Sequence, residues 1–173
     1  TVSSPVTTLR NLVYNGDFTS GNVGFTTDYT YYNPTNTTHA QKAYGITTNP
    51  SIWESPGISS CGDHTSTTGN MMVVDGSIYN SGNDKVWGQN ISVTAGQNYT
   101  FSYWIQSIAP QSPASLNVKI NGVSLGIGAA PSTVTCGNWV QYTYVWNSGA
   151  STLAQIAIYD NVILANGNDF AID

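Results

Sequence analysis

The clearest pattern of hydrophobic and polar positions runs through residues 98–107, Asn-Tyr-Thr-Phe-Ser-Tyr-Trp-Ile-Gln-Ser. One alternating set is large and apolar: Tyr99, Phe101, Tyr103 and Ile105. Because successive side chains of a strand point to opposite faces, this pattern predicts a strand with one face in a core. The other face is polar apart from Trp104, which is either a lone surface aromatic residue or a platform for a flat ligand.

Other stretches of strand length alternate in the same way or are continuously apolar. We predict strands in residues 11–14, 22–32, 42–47, 70–75, 85–93, 115–120, 139–146, 153–159 and 168–173. Turns rich in Gly and Asn separate them, as at Asn121-Gly122. No segment has the period of a helix of about ten residues or more. Short strands at this spacing predict an all-β fold, an antiparallel β-sandwich.

The composition supports one module of the extracellular type. Of the 173 residues only 8% are charged, while 12% are aromatic. Such a composition is typical of secreted all-β proteins. Residues 1–10 are rich in Thr and Ser and predict a linker, and residues 11–173 predict a single sandwich module. Since the sequence has no initiator Met and no signal peptide, we expect a monomeric module of a larger, exported protein.

The charge balance excludes two classes of partner. The chain has 4 Lys and Arg residues against 9 Asp and Glu residues, and its formal net charge is -5. This balance provides no basic patch for nucleic acid or an anionic membrane surface. No apolar run approaches the length of a membrane span, so we expect no insertion into a membrane.

Cys61 and Cys136 are the only cysteines, and they lie far apart in the sequence. Two cysteines do not make a zinc site, and neither belongs to a Cys-x-x-Cys motif. We expect a disulfide between them, which suits an extracellular protein, with two buried free thiols as the alternative.

Several short motifs, in this order, resemble those of one known fold family. They are Asn-Leu-Val-Tyr-Asn-Gly-Asp-Phe18, Gly-Asp-His-Thr-Ser66, Gly-Asn-Met-Met-Val-Val-Asp-Gly76, the run from Val86 to Trp104, and Gly-Asn-Asp-Phe-Ala-Ile-Asp173. Together they resemble the jelly roll of carbohydrate-binding modules, a galactose-binding-like sandwich similar to families 4, 9 and 22. The copies that the chain most resembles belong to large secreted bacterial surface proteins. The resemblance implies non-catalytic binding of a polysaccharide or a cell-surface glycan, although this fold also serves other roles.

The resemblance also implies a structural calcium ion. In the family, the turn after the first strand and an Asp at the end of the last strand commonly hold calcium. The matching positions here are Asp17, Thr19 and Asp173. The family usually has a Glu where Thr19 stands, so one charge is missing from the expected oxygen ligands. The alternative is that Asp17 caps a turn and Asp173 is an ordinary terminal residue.

The polar face around Trp104 is the candidate sugar site. In this fold we expect that face to adjoin two further strands with amides and aromatic residues. The predicted binding residues are Trp104, Gln106, Asn117, Lys119, Gln155 and Tyr159. An aromatic plane packs against the C–H face of a pyranose, and amides and an ammonium group bond its hydroxyls. The alternative is a polar outer sheet with scattered aromatic residues.

Asp63 and His64 occupy a long loop and are candidates for the rim of that site. A His beside an acid serves as a base, a metal ligand or a loop anchor, and we favour the anchor over contact with the ligand. Catalysis is disfavoured, because hydrolysis of a glycoside needs two facing carboxylates and Glu54 is the sole Glu.

The sequence therefore leads to a non-catalytic, calcium-stabilised carbohydrate-binding module that attaches a secreted or surface protein to glycans. The alternative is an adhesin or spacer domain of a large cell-surface protein that binds no free sugar. A hydrolase is the least supported hypothesis.

Overall fold

The computed structural model describes residues 10–35, 37–54, 58–79 and 82–173. Most of the predicted linker lies outside these ranges, and only Arg10 of it is described. The elements are β1 (Thr30–Tyr31), β2 (Ala43–Thr47), α1 (Pro50–Trp53), β3 (Met71–Asp75), β4 (Asp84–Ser92), β5 (Asn98–Ser107), β6 (Ser115–Ile120), β7 (Val123–Ala129), β8 (Val140–Asn147), β9 (Leu153–Asp160) and β10 (Asp169–Ile172).

The strands form two sheets that face each other. The larger is six-stranded in the order β1-β2-β3-β10-β5-β8, and the smaller is four-stranded in the order β4-β9-β6-β7. The pairings are antiparallel except for the short parallel pair β1-β2. The predicted all-β antiparallel sandwich is confirmed.

The core lies between the sheets and contains the apolar face predicted for β5. Phe101, Tyr103 and Ile105 are buried in one cluster with the apolar positions of β6 and β9. Trp87 of β4 stacks on Phe101 with ring centroids 6.1 Å apart. The alternation of β5 therefore buries one set and turns Trp104 to the outer surface, as predicted.

Residues 11–14 are not a strand, contrary to the prediction. Asn15 has a φ of 53° and Phe18 a φ of 52°, so the chain bends sharply just after this segment. The side-chain amide of Asn15 donates to the carbonyls of Gly21 and Val23, at 2.9 and 2.8 Å. These local bonds replace a sheet ladder. Of the predicted strand 22–32, only β1 is formed apart from an isolated bridge.

The prediction missed β7, the edge strand that follows the turn at Asn121-Gly122. Both turn residues have positive φ, 52° and 79°, as a two-residue hairpin turn requires. β7 contains Gly126 and Gly128 at positions covered by tyrosine rings of β8. A Cβ on Gly128 would lie 2.6 Å from the Tyr142 ring, so glycine is needed there.

A second, smaller apolar cluster covers part of the outer surface of the six-stranded sheet. It contains Ala43, Trp53, Met71, Val73, Ile108 and Ala171. Trp53 follows the polar turn after β2 and is fully buried. A Cβ on Gly45 would lie 2.2 Å from the Trp53 ring, so this glycine makes room for the indole. The outer surface of this sheet is therefore partly covered by the chain between β2 and β3.

Candidate functional site

The structure separates the residues predicted to form one sugar-binding face. Trp104 and Gln106 belong to β5 in the six-stranded sheet, whereas β6 and β9 belong to the other sheet. The four residues that lie on the other outer surface are Asn117, Lys119, Gln155 and Tyr159. The prediction that the two groups adjoin is wrong, because the connection from β5 to β6 crosses between the sheets. A strand's own alternation carries no information about the sheet to which the strand belongs.

Polar side chains on the four-stranded sheet have partners within that sheet. Asn117 pairs with Tyr159 across β6 and β9 and accepts a 2.6 Å bond from the Ser124 hydroxyl. The Lys119 ammonium lies 4.3 Å from the centroid of the Tyr159 ring, a cation–π contact. These contacts explain Asn117, Lys119 and Tyr159 as parts of a polar outer surface.

On the six-stranded sheet, two residues that were predicted separately come together. The His64 ring stacks on the Trp104 indole with centroids 3.6 Å apart and an interplanar angle of 14°. Trp139 meets His64 edge to face at 6.2 Å. We call Trp104, His64 and Trp139 the aromatic group. The sequence analysis did not select Trp139 as a site residue, although it placed Trp139 at the start of the predicted strand 139–146.

Asp63 holds the loop that carries His64 in place. Its carboxylate is buried and accepts backbone N–H bonds from Ser66 and Gly69, both at 2.8 Å. A carboxylate that caps a tight turn in this way acts as a loop anchor. The contacts of Asp63 therefore match the anchoring role that we favoured for this loop.

Gln106 is buried rather than at the surface. The side chain is only 1% exposed, and neither its amide nitrogen nor its amide oxygen has a hydrogen-bond partner. The indole nitrogen of Trp139 is also buried without a partner. A buried polar group without a partner costs roughly 1–3 kcal/mol. The expectation of an exposed amide at position 106 is wrong, because other parts of the chain cover the outer face of β5 at this position.

A buried carboxylate cluster next to this region was missed by the sequence analysis. Asp75 stands opposite Asp169 in the β3–β10 pairing, and Glu54 follows α1 nearby. Burial raises the pKa of both aspartates, and the neighbouring negative charges raise the pKa of Asp75 further. The available signal was that Asp75 ends one buried strand and Asp169 begins another.

The two cysteines are free thiols in the structure, so the expected disulfide is not formed. Cys61 is buried and Cys136 is exposed. They are nevertheless neighbours: the Cys61 thiol donates a hydrogen bond to Cys136, and burial together with this bond raises the pKa of Cys61. The segment from Cys61 to His64 thus meets the segment from Cys136 to Trp139. We call these two segments the cover.

Two of the three predicted calcium ligands line one cavity of about 310 Å³. Asp17 and Asp173 both line it, together with Thr65. The Thr65 N–H and hydroxyl donate to the Asp173 carboxylate at 3.1 and 3.0 Å, and burial raises the pKa of Asp173. Thr19 donates its hydroxyl to Asp17 at 2.9 Å but does not line the cavity.

The fit to calcium is therefore partial. Two carboxylates at one cavity suit the ion, which takes six to eight oxygen ligands. Among the described residues, no group of three or more His, Cys, Asp or Glu side chains is placed to hold a metal. Hydroxyl and carbonyl oxygens would have to complete the set of calcium ligands.

Solved structures share the fold at low sequence identity. A family 16 carbohydrate-binding module is 18% identical with a TM-score of 0.50, and the match covers 94% of this chain and 96% of that one. The N-terminal tandem of family 22 modules of Paenibacillus barcinonensis Xyn10C is 11% identical with a TM-score of 0.56, and the match covers 98% and 46%. This chain has the sandwich fold of carbohydrate-binding modules.

The same fold also occurs in an enzyme. The Stig cyclase Fisc from Fischerella sp. TAU is 11% identical with a TM-score of 0.54, and the match covers 93% of this chain and 92% of that one. No protein-family model matches the sequence, and neither does any curated protein. The likeness therefore establishes the fold, and the function has to be argued from the site.

In the part of the chain that the structure describes, no helix is long and apolar enough to span a membrane.

Proposed function

We propose that this chain is a non-catalytic carbohydrate-binding module that binds a polysaccharide or a cell-surface glycan. The site is the outer surface of the six-stranded sheet at the aromatic group. The observation that carries the proposal is the stacked His64–Trp104 pair beside the unpartnered amide of Gln106. Stacked rings offer a plane to a pyranose, and the amide offers a donor and an acceptor to its hydroxyls.

Binding requires that the cover move. His64 lies on the Trp104 ring, and Gln106 is buried, so the sugar takes the place of the imidazole. Displacement of His64 exposes a Trp104 surface that is already flat and apolar. The unpartnered Gln106 amide and Trp139 N–H then gain partners, which offsets part of the cost of opening.

Calcium, in this proposal, stabilises the module and takes no part in sugar contacts. Asp17 and Asp173 supply the carboxylates, and the hydroxyl of Thr65 lies at the same cavity. Thr19 contributes through its contact with Asp17. A cation at this cavity offsets the charge of Asp173, whose pKa is raised by burial and by the nearby Asp63.

The proposed setting is a secreted or surface-attached parent protein, with this module as its glycan-binding part. The low charge and the high content of Thr, Ser, Asn and Gly suit an extracellular location.

A second candidate, a spacer or adhesive domain that binds no free sugar, is favoured by the same closed geometry. The 3.6 Å contact of His64 and the 1% exposure of Gln106 describe a surface that is covered. In that function the aromatic group is a small outer core that secures the cover.

Titration against soluble polysaccharides (xylan, β-glucan, mannan and galactan) distinguishes the two candidates. We expect tryptophan fluorescence and calorimetry to detect binding of at least one. Trp104→Ala should weaken it by about 2 kcal/mol or more, roughly 30-fold. Tyr159→Ala, on the opposite outer surface, is the matched control and should bind normally. Loss of binding in Tyr159→Ala alone moves the site to the four-stranded sheet, and no binding by any variant supports the spacer.

A further inference from the structure

Trp104 has four neighbouring positions on the outer surface of the six-stranded sheet. Along β5, Ser102 and Gln106 lie two residues before and after it and point to the same face. Across the sheet, Asp173 exchanges two backbone hydrogen bonds with Trp104 on one side, and Gln141 stands opposite it in the β5–β8 pairing on the other. A sugar stacked on the Trp104 ring can continue into a chain only over one of these positions.

Two of the four positions are covered. The Gln106 side chain is only 1% exposed. The Asp173 carboxylate accepts hydrogen bonds from the N–H and the hydroxyl of Thr65, at 3.1 and 3.0 Å. Asp63 anchors the same loop through its bonds to two backbone N–H groups. The Asp173 side therefore stays covered when only the His64 ring is displaced.

The other two positions are open. Ser102 and Gln141 are exposed, and so is Thr143, which pairs with Ser102. None of the three carries a charge, so this part of the surface suits a neutral ligand rich in hydroxyl groups. Because the direction along a strand is perpendicular to the direction across the sheet, the two open exits from the Trp104 ring also lie at about a right angle.

This arrangement distinguishes the end of a chain from its interior. A unit within an extended chain has neighbours on opposite sides of its ring and needs two exits in one line. The line along β5 is blocked at Gln106, and the line across the sheet is blocked at Asp173. A terminal unit needs only one exit. The surroundings of Trp104 therefore admit the end of an extended chain and exclude its interior.

The closed side also contains polar atoms that lack a partner. The amide nitrogen and oxygen of Gln106 and the indole nitrogen of Trp139 are buried without one, and Trp139 meets His64 edge to face. On its side away from the chain, a terminal sugar carries a free hydroxyl, whereas an interior sugar carries a bridging oxygen. A hydroxyl can donate to the amide carbonyl and accept from an N–H, but a bridging oxygen has no proton to donate.

We infer, on the basis of the proposed function, that this site binds the end of an extended, neutral polysaccharide chain and not its interior. The terminal sugar replaces the His64 imidazole on Trp104, and its free hydroxyl bonds the Gln106 amide and the Trp139 N–H. The rest of the chain leaves over Thr143. A site built to bond a hydroxyl strongly rejects a ligand that lacks it, so interior units bind poorly.

The test counts binding sites per gram of polysaccharide by calorimetry. Xylan, β-glucan, mannan and galactan are each titrated intact and after limited acid cleavage, which multiplies the chain ends and leaves the mass of sugar unchanged. Cleavage that raises the number of chain ends about tenfold should raise the number of sites per gram about tenfold. Borohydride opens the terminal ring at the reducing end, so lost binding after this reduction assigns the reducing end and unchanged binding assigns the other end. Both results agree with the inference.

Two other results separate this inference from the proposed function. Binding with the same number of sites per gram before and after cleavage would contradict recognition of chain ends and leave the proposed function intact. No binding to any of the polysaccharides, intact or cleaved, would contradict the proposed function itself.

Gln106→Leu gives an independent check. The side chain has no hydrogen bond to lose in the folded protein, so the melting temperature should stay the same or rise. Affinity for the cleaved chains should nevertheless fall at least about tenfold. Gln97→Leu, which removes an exposed amide in the turn before β5, is the matched control and should bind like the parent. Unchanged affinity in Gln106→Leu would contradict the inference.

Discussion

At the scale of single residues, Trp104 and Phe101 occupy the two faces of the same strand. Phe101 is buried between the sheets, whereas Trp104 lies on the outer surface against His64. We expect Trp104→Ala to lower the free energy of unfolding by less than about 1.5 kcal/mol. Phe101→Ala, the control, should cost about 3–5 kcal/mol because it opens a cavity in the core. Denaturant unfolding of both variants measures this, and an equal loss would mean that Trp104 is a core residue.

The Asp75–Asp169 pair makes stability depend on pH. Burial holds the pKa of both carboxyl groups above the ordinary value of about 4. The folded protein therefore keeps a proton that the unfolded chain has released. The contribution is complete below the ordinary carboxyl pKa and is lost as the pH rises through the raised pKa of the folded pair. We expect the free energy of unfolding to fall between about pH 4 and pH 8.

Substitution of one aspartate of the Asp75–Asp169 pair isolates its contribution to the pH dependence of stability. Asp75→Asn keeps the shape, offers an amide donor to Asp169 and removes the need for the shared proton, so the slope with pH should flatten. Asp28→Asn, at an exposed aspartate, is the control and should keep the slope of the parent. Urea unfolding across the pH range measures both, and an unchanged slope in Asp75→Asn would show that the pair is ionised when folded.

At the scale of elements, the cover consists of two segments that meet at Cys61 and Cys136. The thiols are free in the structure but within hydrogen-bonding range. We predict that oxidised glutathione joins the two sulfurs, with loss of two protons and transfer of two electrons to the glutathione. The bond should stabilise the fold by about 2–5 kcal/mol, because it closes a long loop in the unfolded chain. Cys136→Ser is the control that cannot respond.

Thiol titration of the unfolded, unreduced protein decides this prediction. No titratable thiol is expected after oxidation, and two would contradict it. Since His64 of the cover lies on Trp104, the oxidised protein should also bind sugar more slowly than the reduced one, if opening of the cover precedes binding.

At the scale of the whole molecule, the proposed calcium would join the first turn to the last strand. Asp17 and Asp173 are at opposite ends of the described chain but line one cavity. A ligand that binds only the folded state stabilises it by mass action, by about 2.7 kcal/mol at a concentration one hundred times Kd. We expect chelator to lower the melting temperature and calcium to restore it. Asp17→Asn should remove the response, and a melting curve that chelator does not change would contradict the proposal.

The sequence by itself determined most of the strands and the two faces of β5. Alternation is local, so the burial of Phe101 and the outward position of Trp104 could be predicted from β5 alone. The same holds for the turn at Asn121-Gly122, although not for β7 after it, because residues that tolerate positive φ make such a turn. Prediction from local alternation failed for residues 11–14, where hydrogen bonds from the Asn15 side chain to the backbone replace the hydrogen bonds of a sheet.

Only the tertiary structure decided which residues lie together on one surface. It placed Lys119 and Tyr159 in the opposite sheet from Trp104, because assignment to a sheet depends on a crossover between strands and not on periodicity. It brought His64 onto Trp104, buried Gln106 and set Asp75 against Asp169. Each of these contacts joins residues far apart in the sequence. Their geometry follows from the packing of the whole sandwich, which no local pattern encodes.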